Sequence, residues 1–140
     1  MSAFVIDASA MLAWCFEDER PKNHQALLKR LVAGGMSAPA HWPLELSNII
    51  WNGERRGRLS SADAARFIVT VESLRVSIDF ETPRRAWSDI LALARADGLT
   101  AYDAAYLELA VRRQATLVSK DADLLKAAKH RGVATLSVLS

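Results

Sequence analysis

"AFVIDASAMLAWCF", residues 3–16, starts as an unbroken apolar run and changes character at Asp7. Ala3 to Asp7 is too short for a helix and is rich in strand-forming Phe, Val and Ile. The residues from Ser9 to about Phe16 then read as a helix. The segment is therefore a buried strand that runs straight into a helix, with a carboxylate at the junction. Whether this unit recurs along the chain decides the fold.

It does recur. Pro21 suits the first turn of a second helix, which Gly34–Gly35 ends. "MSAP" (36–39) is a short strand, followed by a helix over about 42–56 that stops near Gly57. Ser60 or Ser61 caps the next helix, which runs to about Leu74. "RVSID" (75–79) is a strand, and a helix over 83–96 follows, stopped by Gly98. A helix opens after Thr100, then strand "ATLVS" (115–119), a helix over 121–130, and strand "VATLSVL" (133–139). This alternation predicts an α/β fold: a parallel sheet of four to five strands covered by helices on both faces, formed by residues 1–140 as one domain. Such sheets bind ligands beyond the carboxyl ends of their strands, near a switch in strand order.

Composition bounds the class. The chain has 140 residues, 51% hydrophobic and 24% charged, which is ordinary for a soluble domain with a real core. The single Cys15 makes no internal disulfide and fits a reducing compartment, so a cytoplasmic location is expected. The N-terminus lacks a positive region and Asp7 interrupts its apolar run, against a secretory signal. No eighteen-residue stretch is both apolar and uncharged, against a membrane span. A net charge of +2 is too small to establish nucleic-acid binding. Two local clusters, Arg55–Arg56–Arg58 and Lys126–Lys129–His130–Arg131, could attract phosphates, but each taken alone reads better as a solvated helix end, where cations complement the dipole.

The strand-end rule directs attention to the acids. Asp7 ends the first strand, Asp121 lies just past "ATLVS", and Asp123 follows it. Asp103 sits in the first turn of its helix, on a stripe with Leu99, Tyr106, Leu107 and Ala110. Glu45 lies in the helix after the second strand, on a stripe with Trp42 and Ile49. Each has a plain structural reading: Asp7 and Asp121 as N-caps, Thr100 with Asp103 as a capping box, Glu45 as a surface residue. Glu108 with Arg112, four residues on, reads as a solvated ion pair. Brought together, however, two carboxylates about 4 Å apart repel by roughly 4 kcal/mol at an effective dielectric of 20. That is a large share of a domain's stability of about 5–15 kcal/mol. A cluster of acids therefore requires protonation, separation or a cation. His24, His41 and His130 are scattered, so the donors are oxygens, which favour Mg²⁺ or Mn²⁺ over zinc.

At these acids the chain resembles a known family. "VIDASAMLAWCFEDE" (5–19), "APAHWPLELSNII" (38–50), "LTAYDAAYLELA" (99–110) and "LVSKDADL" (117–124) look like the four signature blocks of PIN-domain ribonucleases, above all VapC-type toxins of bacterial toxin–antitoxin pairs. The blocks come in family order over nearly the whole chain. The resemblance implies a three-layer α/β/α fold, a Mg²⁺- or Mn²⁺-dependent endoribonuclease, a homodimer, and inhibition by a cognate VapB-type antitoxin. It implies metal-binding and catalytic acids at Asp7, Glu45, Asp103 and Asp121. Ser9 and Ser119 match hydroxyl residues that support the first Asp, Asp123 a further supporting acid, and Asn48 a residue that orients Glu45. Lys120 is the nearest cation for a phosphate contact, with Arg55, Arg56 and Arg58 reaching flanking nucleotides. Trp14, Trp42, Trp51 and Trp87 are expected mostly in the core, with some apolar residues of the first helices left for the antitoxin.

Rival readings fit less well. A phosphatase of the haloacid dehalogenase type wants a second Asp where Ser9 stands. A receiver-like phospho-acceptor domain wants an acidic pair beside the first strand and an Asp ending the third, where only Asp79 offers a match. A catalytically silent binding module on the same fold does not need the intact acidic set.

Overall fold

The computed structural model describes residues 2–138. Strand β1 (Phe4–Ile6) runs into helix α1 (Ala8–Cys15), and a short 3₁₀ turn (Glu17–Glu19) precedes α2 (His24–Gly34). Then come β2 (Met36–Pro39), α3 (Trp42–Arg55), α4 (Ser61–Ser73) and β3 (Ser77–Asp79). Helix α5 (Thr82–Arg85) passes through a π-helical turn (Ala86–Ile90) into α6 (Leu91–Asp97). The chain finishes with α7 (Ala101–Arg113), β4 (Thr116–Ser119), α8 (Ala122–His130) and β5 (Thr135–Ser137). The last predicted strand extended to Leu139, which lies outside the described residues.

The five strands pair in parallel in the order β3-β2-β1-β4-β5. The chain winds from β1 outward to β3 and then returns to β4 on the other side of β1. The switch in strand order therefore falls between β1 and β4, and the backbone N–H of Asp7 still bonds to the Val118 carbonyl at 3.1 Å. All three residues of β1 are buried, because helices flank the sheet: α7 packs against β1, β2 and β4, and α8 against β4 and β5. The core gathers the apolar residues of β1 and β4 with Met11, Leu31, Tyr106, Leu107, Leu109 and Leu124.

Local chemistry explains the boundaries. Ser60 caps α4 by accepting from Asp63 N–H at 3.1 Å. Gly98 closes α6 at φ 67°, a left-handed conformation that glycine adopts without a Cβ clash. Three expectations require correction. Pro21 lies ahead of α2 and only lends its carbonyl to His24 N–H at 3.1 Å, so Asn23 is the N-cap. Trp14 and Trp42 are buried, but Trp51 and Trp87 are exposed. Glu108 is not solvated: it is 5% exposed and gripped by the Arg112 guanidinium at 2.8 Å through two nitrogens. Arg112 also holds buried Asp79 at 2.6 Å, because the end of edge strand β3 closes over that side of α7. Asp79 is thus a partner in a buried ion network and not an open phospho-acceptor.

Candidate functional site

At the switch point, where open parallel sheets leave a crevice beyond the strand ends, the site is built first by two serines. Ser9 Oγ donates to the Asp7 carboxylate (2.8 Å to Oδ1) and accepts from the backbone N–H of Lys120 at 3.1 Å. Ser119 Oγ lies 2.5 Å from Asp7 Oδ2 and accepts from Asp121 N–H at 2.9 Å. Each hydroxyl thus ties the carboxyl end of β1 to that of β4. Asp7 is also the N-cap of α1, accepting from Ala10 N–H at 2.9 Å. Asp121 caps α8 in the same way through Oδ1, from Asp123 N–H and Leu124 N–H. That leaves Asp121 Oδ2 uncommitted by the cap.

The other two acids come from α3 and α7. Thr100 caps α7 with its hydroxyl, accepting from the backbone N–H of Asp103 at 3.1 Å. The cap therefore uses the Asp103 backbone. Among the described residues nothing donates a hydrogen bond to the Asp103 carboxylate, although it is half-buried. One turn along the same face, buried Tyr106 donates its hydroxyl to Glu45 Oε1 at 2.7 Å. His41 Nε2 lies 2.9 Å from that oxygen.

The carboxylates sense one another. Burial pushes Asp7 up to about 6 against the hydrogen bonds of Ser119, Ala10 and Ser9, with the Asp103 charge adding to the rise. Asp103 is raised by burial first, then by the charges of Asp121 and Glu45. Burial acts upward on Glu45 as well, but His41 and Tyr106 outweigh it and hold the group below its ordinary value. Asp103 is the hub, coupled to the other three acids. Among the described residues no three His, Cys, Asp or Glu side chains stand close enough together to hold a metal ion as they are placed, so the four acids form an open, spread set. An open set of hard oxygen donors fits Mg²⁺, which keeps several of its waters and takes one or two carboxylates besides substrate oxygens.

The remaining predicted residues are placed as follows. Asn48 is exposed, and the hydroxyl that holds Glu45 belongs to Tyr106. Asp123 is exposed on the first turn of α8. Lys120 Nζ is paired to Glu19 at 2.5 Å, which also faces Arg58 at 3.3 Å. Arg58 further contacts Asp18 and lies 4.0 Å over the Phe16 ring. Arg55 and Arg56 are exposed, with Arg55 5.4 Å from the Trp51 ring. The sequence reading missed Tyr106 and His41 as parts of the site. The spacing of Tyr106 from Asp103, three residues along one helical face, was the available signal; nothing local marks His41.

The PIN domain model matches residues 4–130 of this chain. Among curated proteins it is similar to Ribonuclease VapC3 of Pyrobaculum aerophilum, 28% identical over 121 residues that cover 86% of this chain and 90% of the relative. Exonuclease VapC9 of the same organism is 30% identical over 138 residues, covering 97% and 92%. Among solved structures, PAE2754 from Pyrobaculum aerophilum superposes with a TM-score of 0.74 at 25% identity, covering 98% of this chain and 90% of its own. VapBC2 from Rickettsia felis, solved with a DNA fragment from its promoter, shares the fold at a TM-score of 0.68 and 12% identity, covering 96% and 97%.

Proposed function

The chain belongs to the PIN domain family, and from that premise we propose that it is a VapC-type toxin, an endoribonuclease that hydrolyses RNA with Mg²⁺ or Mn²⁺ held by Asp7, Glu45, Asp103 and Asp121. The observation that carries the reading is the junction at the β1–β4 switch, where Ser9 and Ser119 tie the Asp7 carboxylate to the backbone that leads into Asp121. A bound ion supplies an activated water and offsets charge on the phosphoryl oxygens. The chain's own residues prepare for it. Ser9 and Ser119 fix the Asp7 carboxylate and the β4 end together. Tyr106 fixes Glu45, and the Asp103 carboxylate, unclaimed by any donor among the described residues, stands ready for a cation. Among the described residues Arg55 and Arg56 pair with no acid and serve flanking phosphates, whereas Lys120 reaches substrate by giving up Glu19 and Arg58 by giving up Glu19 and Asp18.

An apolar groove between α3 and α4, lined by Trp42, Leu46, Ile50, Phe67, Ile68 and Val71, supports docking of a VapB-type antitoxin. Exposed Phe80 and Trp87 support a homodimer, and an RNA substrate is in keeping with a cytoplasmic location. The test is cleavage of linear and circular single-stranded RNA with Mn²⁺, Mg²⁺ or excess EDTA. Metal-dependent cutting of the circle is expected. Cutting of linear RNA alone makes it an exonuclease, and undiminished cleavage in EDTA overturns the metal site.

A further inference from the structure

Large aromatic side chains exposed on this surface include Phe80, Trp87, Trp51 and Tyr102. Tyr102 differs from the others in position: it directly precedes Asp103 and is 65% exposed. Its ring is backed from below. The His41 ring stands 5.7 Å away, tilted by 50°, and the Tyr106 ring meets His41 edge-on at 5.1 Å. The Tyr106 hydroxyl then holds Glu45. Three rings thus form a ladder from solvent to one of the site acids, which fixes the outermost ring relative to the carboxylates.

A buttressed, exposed ring beside an acidic crevice suits one class of ligand. Single-stranded nucleic acid is gripped by stacking bases on aromatic faces, whatever the base. A crevice rich in carboxylates repels the phosphates, so a contact that grips the base gives binding that charge does not. We infer that Tyr102 is a base-stacking platform that seats the nucleotide next to the scissile phosphate. The inference rests on the ribonuclease reading and adds a substrate-positioning residue to it. His41 and Tyr106 support the platform from behind.

The test uses the full-length protein with Mn²⁺ and a short 5′-labelled single-stranded RNA holding one cleavage site, plus versions made abasic at each position in turn. Tyr102→Ala is expected to raise KM by about 5- to 150-fold, equivalent to about 1–3 kcal/mol, with kcat changed by less than about twofold. Tyr102→Phe and Tyr102→Trp should restore KM. An abasic nucleotide beside the cleaved bond should weaken the wild type equally and erase its difference from Tyr102→Ala. Wild-type KM in Tyr102→Ala, or a difference that persists on every abasic substrate, overturns the platform. If the wild type cleaves nothing, the ribonuclease reading fails separately. The platform then stands or falls on anisotropy with the same RNA: weaker binding by Tyr102→Ala supports it, and equal binding overturns it.

Discussion

Asp7 caps a helix and takes part in an acidic crevice with the same carboxylate. Its burial raises the pKa from 3.8 to about 6, so the folded chain holds that proton more tightly than the unfolded chain. The sign follows: this contribution to stability is fully present below about pH 3.8 and is lost as pH rises to about 6. About two pKa units correspond to about 3 kcal/mol. Urea unfolding in EDTA from pH 4 to 7 should show this decline in the wild type, and Asp7→Asn should flatten it while keeping the cap through its amide oxygen. Added Mg²⁺ should restore stability at pH 7 more than at pH 5, because cation and proton compete for the same oxygens. Asp103 leads to a second prediction. Thr100 caps α7 through the Asp103 backbone, so Asp103→Asn keeps the cap while relieving repulsion from Asp121 and Glu45. Its metal-free melting temperature should match or exceed the wild type's while cleavage falls by at least about a hundredfold. A large drop in melting temperature would instead assign Asp103 to helix stability.

Helix α7 carries two different charged arrangements on its two sides. One side presents Asp103 and Tyr106 to the crevice; the other buries Glu108 and Arg112 against Asp79. Burial acts upward on the Asp79 carboxyl, but Arg112 outweighs it and holds the group below its ordinary range. Arg112→Ala strands Asp79 and Glu108 in a buried setting, and should cost about 3–5 kcal/mol in urea unfolding at pH 7. A loss below about 1 kcal/mol would mean that water reaches these acids. This helix also marks where sequence reading succeeds and stops. Its start at Thr100, its apolar stripe and its acid were legible because they depend on residues within one or two turns. The partners of Glu108 were not, because Asp79 comes from an edge strand 29 positions earlier in the chain and only tertiary packing brings it there. The same division holds elsewhere. Strands β1, β2 and β4 were visible as short apolar runs between turn signals. The π-helical break at Ala86–Ile90 left no mark in the periodicity, and the Lys120–Glu19 pair joins residues from opposite ends of the chain.

Across the whole molecule, strand order and charge act together. The β3-β2-β1-β4-β5 order opens the crevice between β1 and β4, and the four candidate acids come from segments spread from residue 7 to residue 121. Positive charge is held to the side. Neutralising Arg55 and Arg56 together should weaken RNA binding and reduce the slope of log K against log salt by about 1.4, at about 0.7 per lost single-strand phosphate contact. The rate at saturating RNA should change little. A salt series that overlays the wild type would make these arginines a solvated helix end. The proposed hydrolysis has one direct readout, the chemistry of the cut RNA ends. A metal-activated water attacking phosphorus leaves phosphate and hydroxyl termini, whereas attack by the neighbouring 2′-hydroxyl leaves a 2′,3′-cyclic phosphate. Mass spectrometry of products made with Mn²⁺ should find no cyclic phosphate at any cut, and no cuts with excess EDTA or with Asp103→Asn. Cyclic phosphate ends formed undiminished in EDTA would contradict the metal-dependent hydrolysis proposed for this crevice.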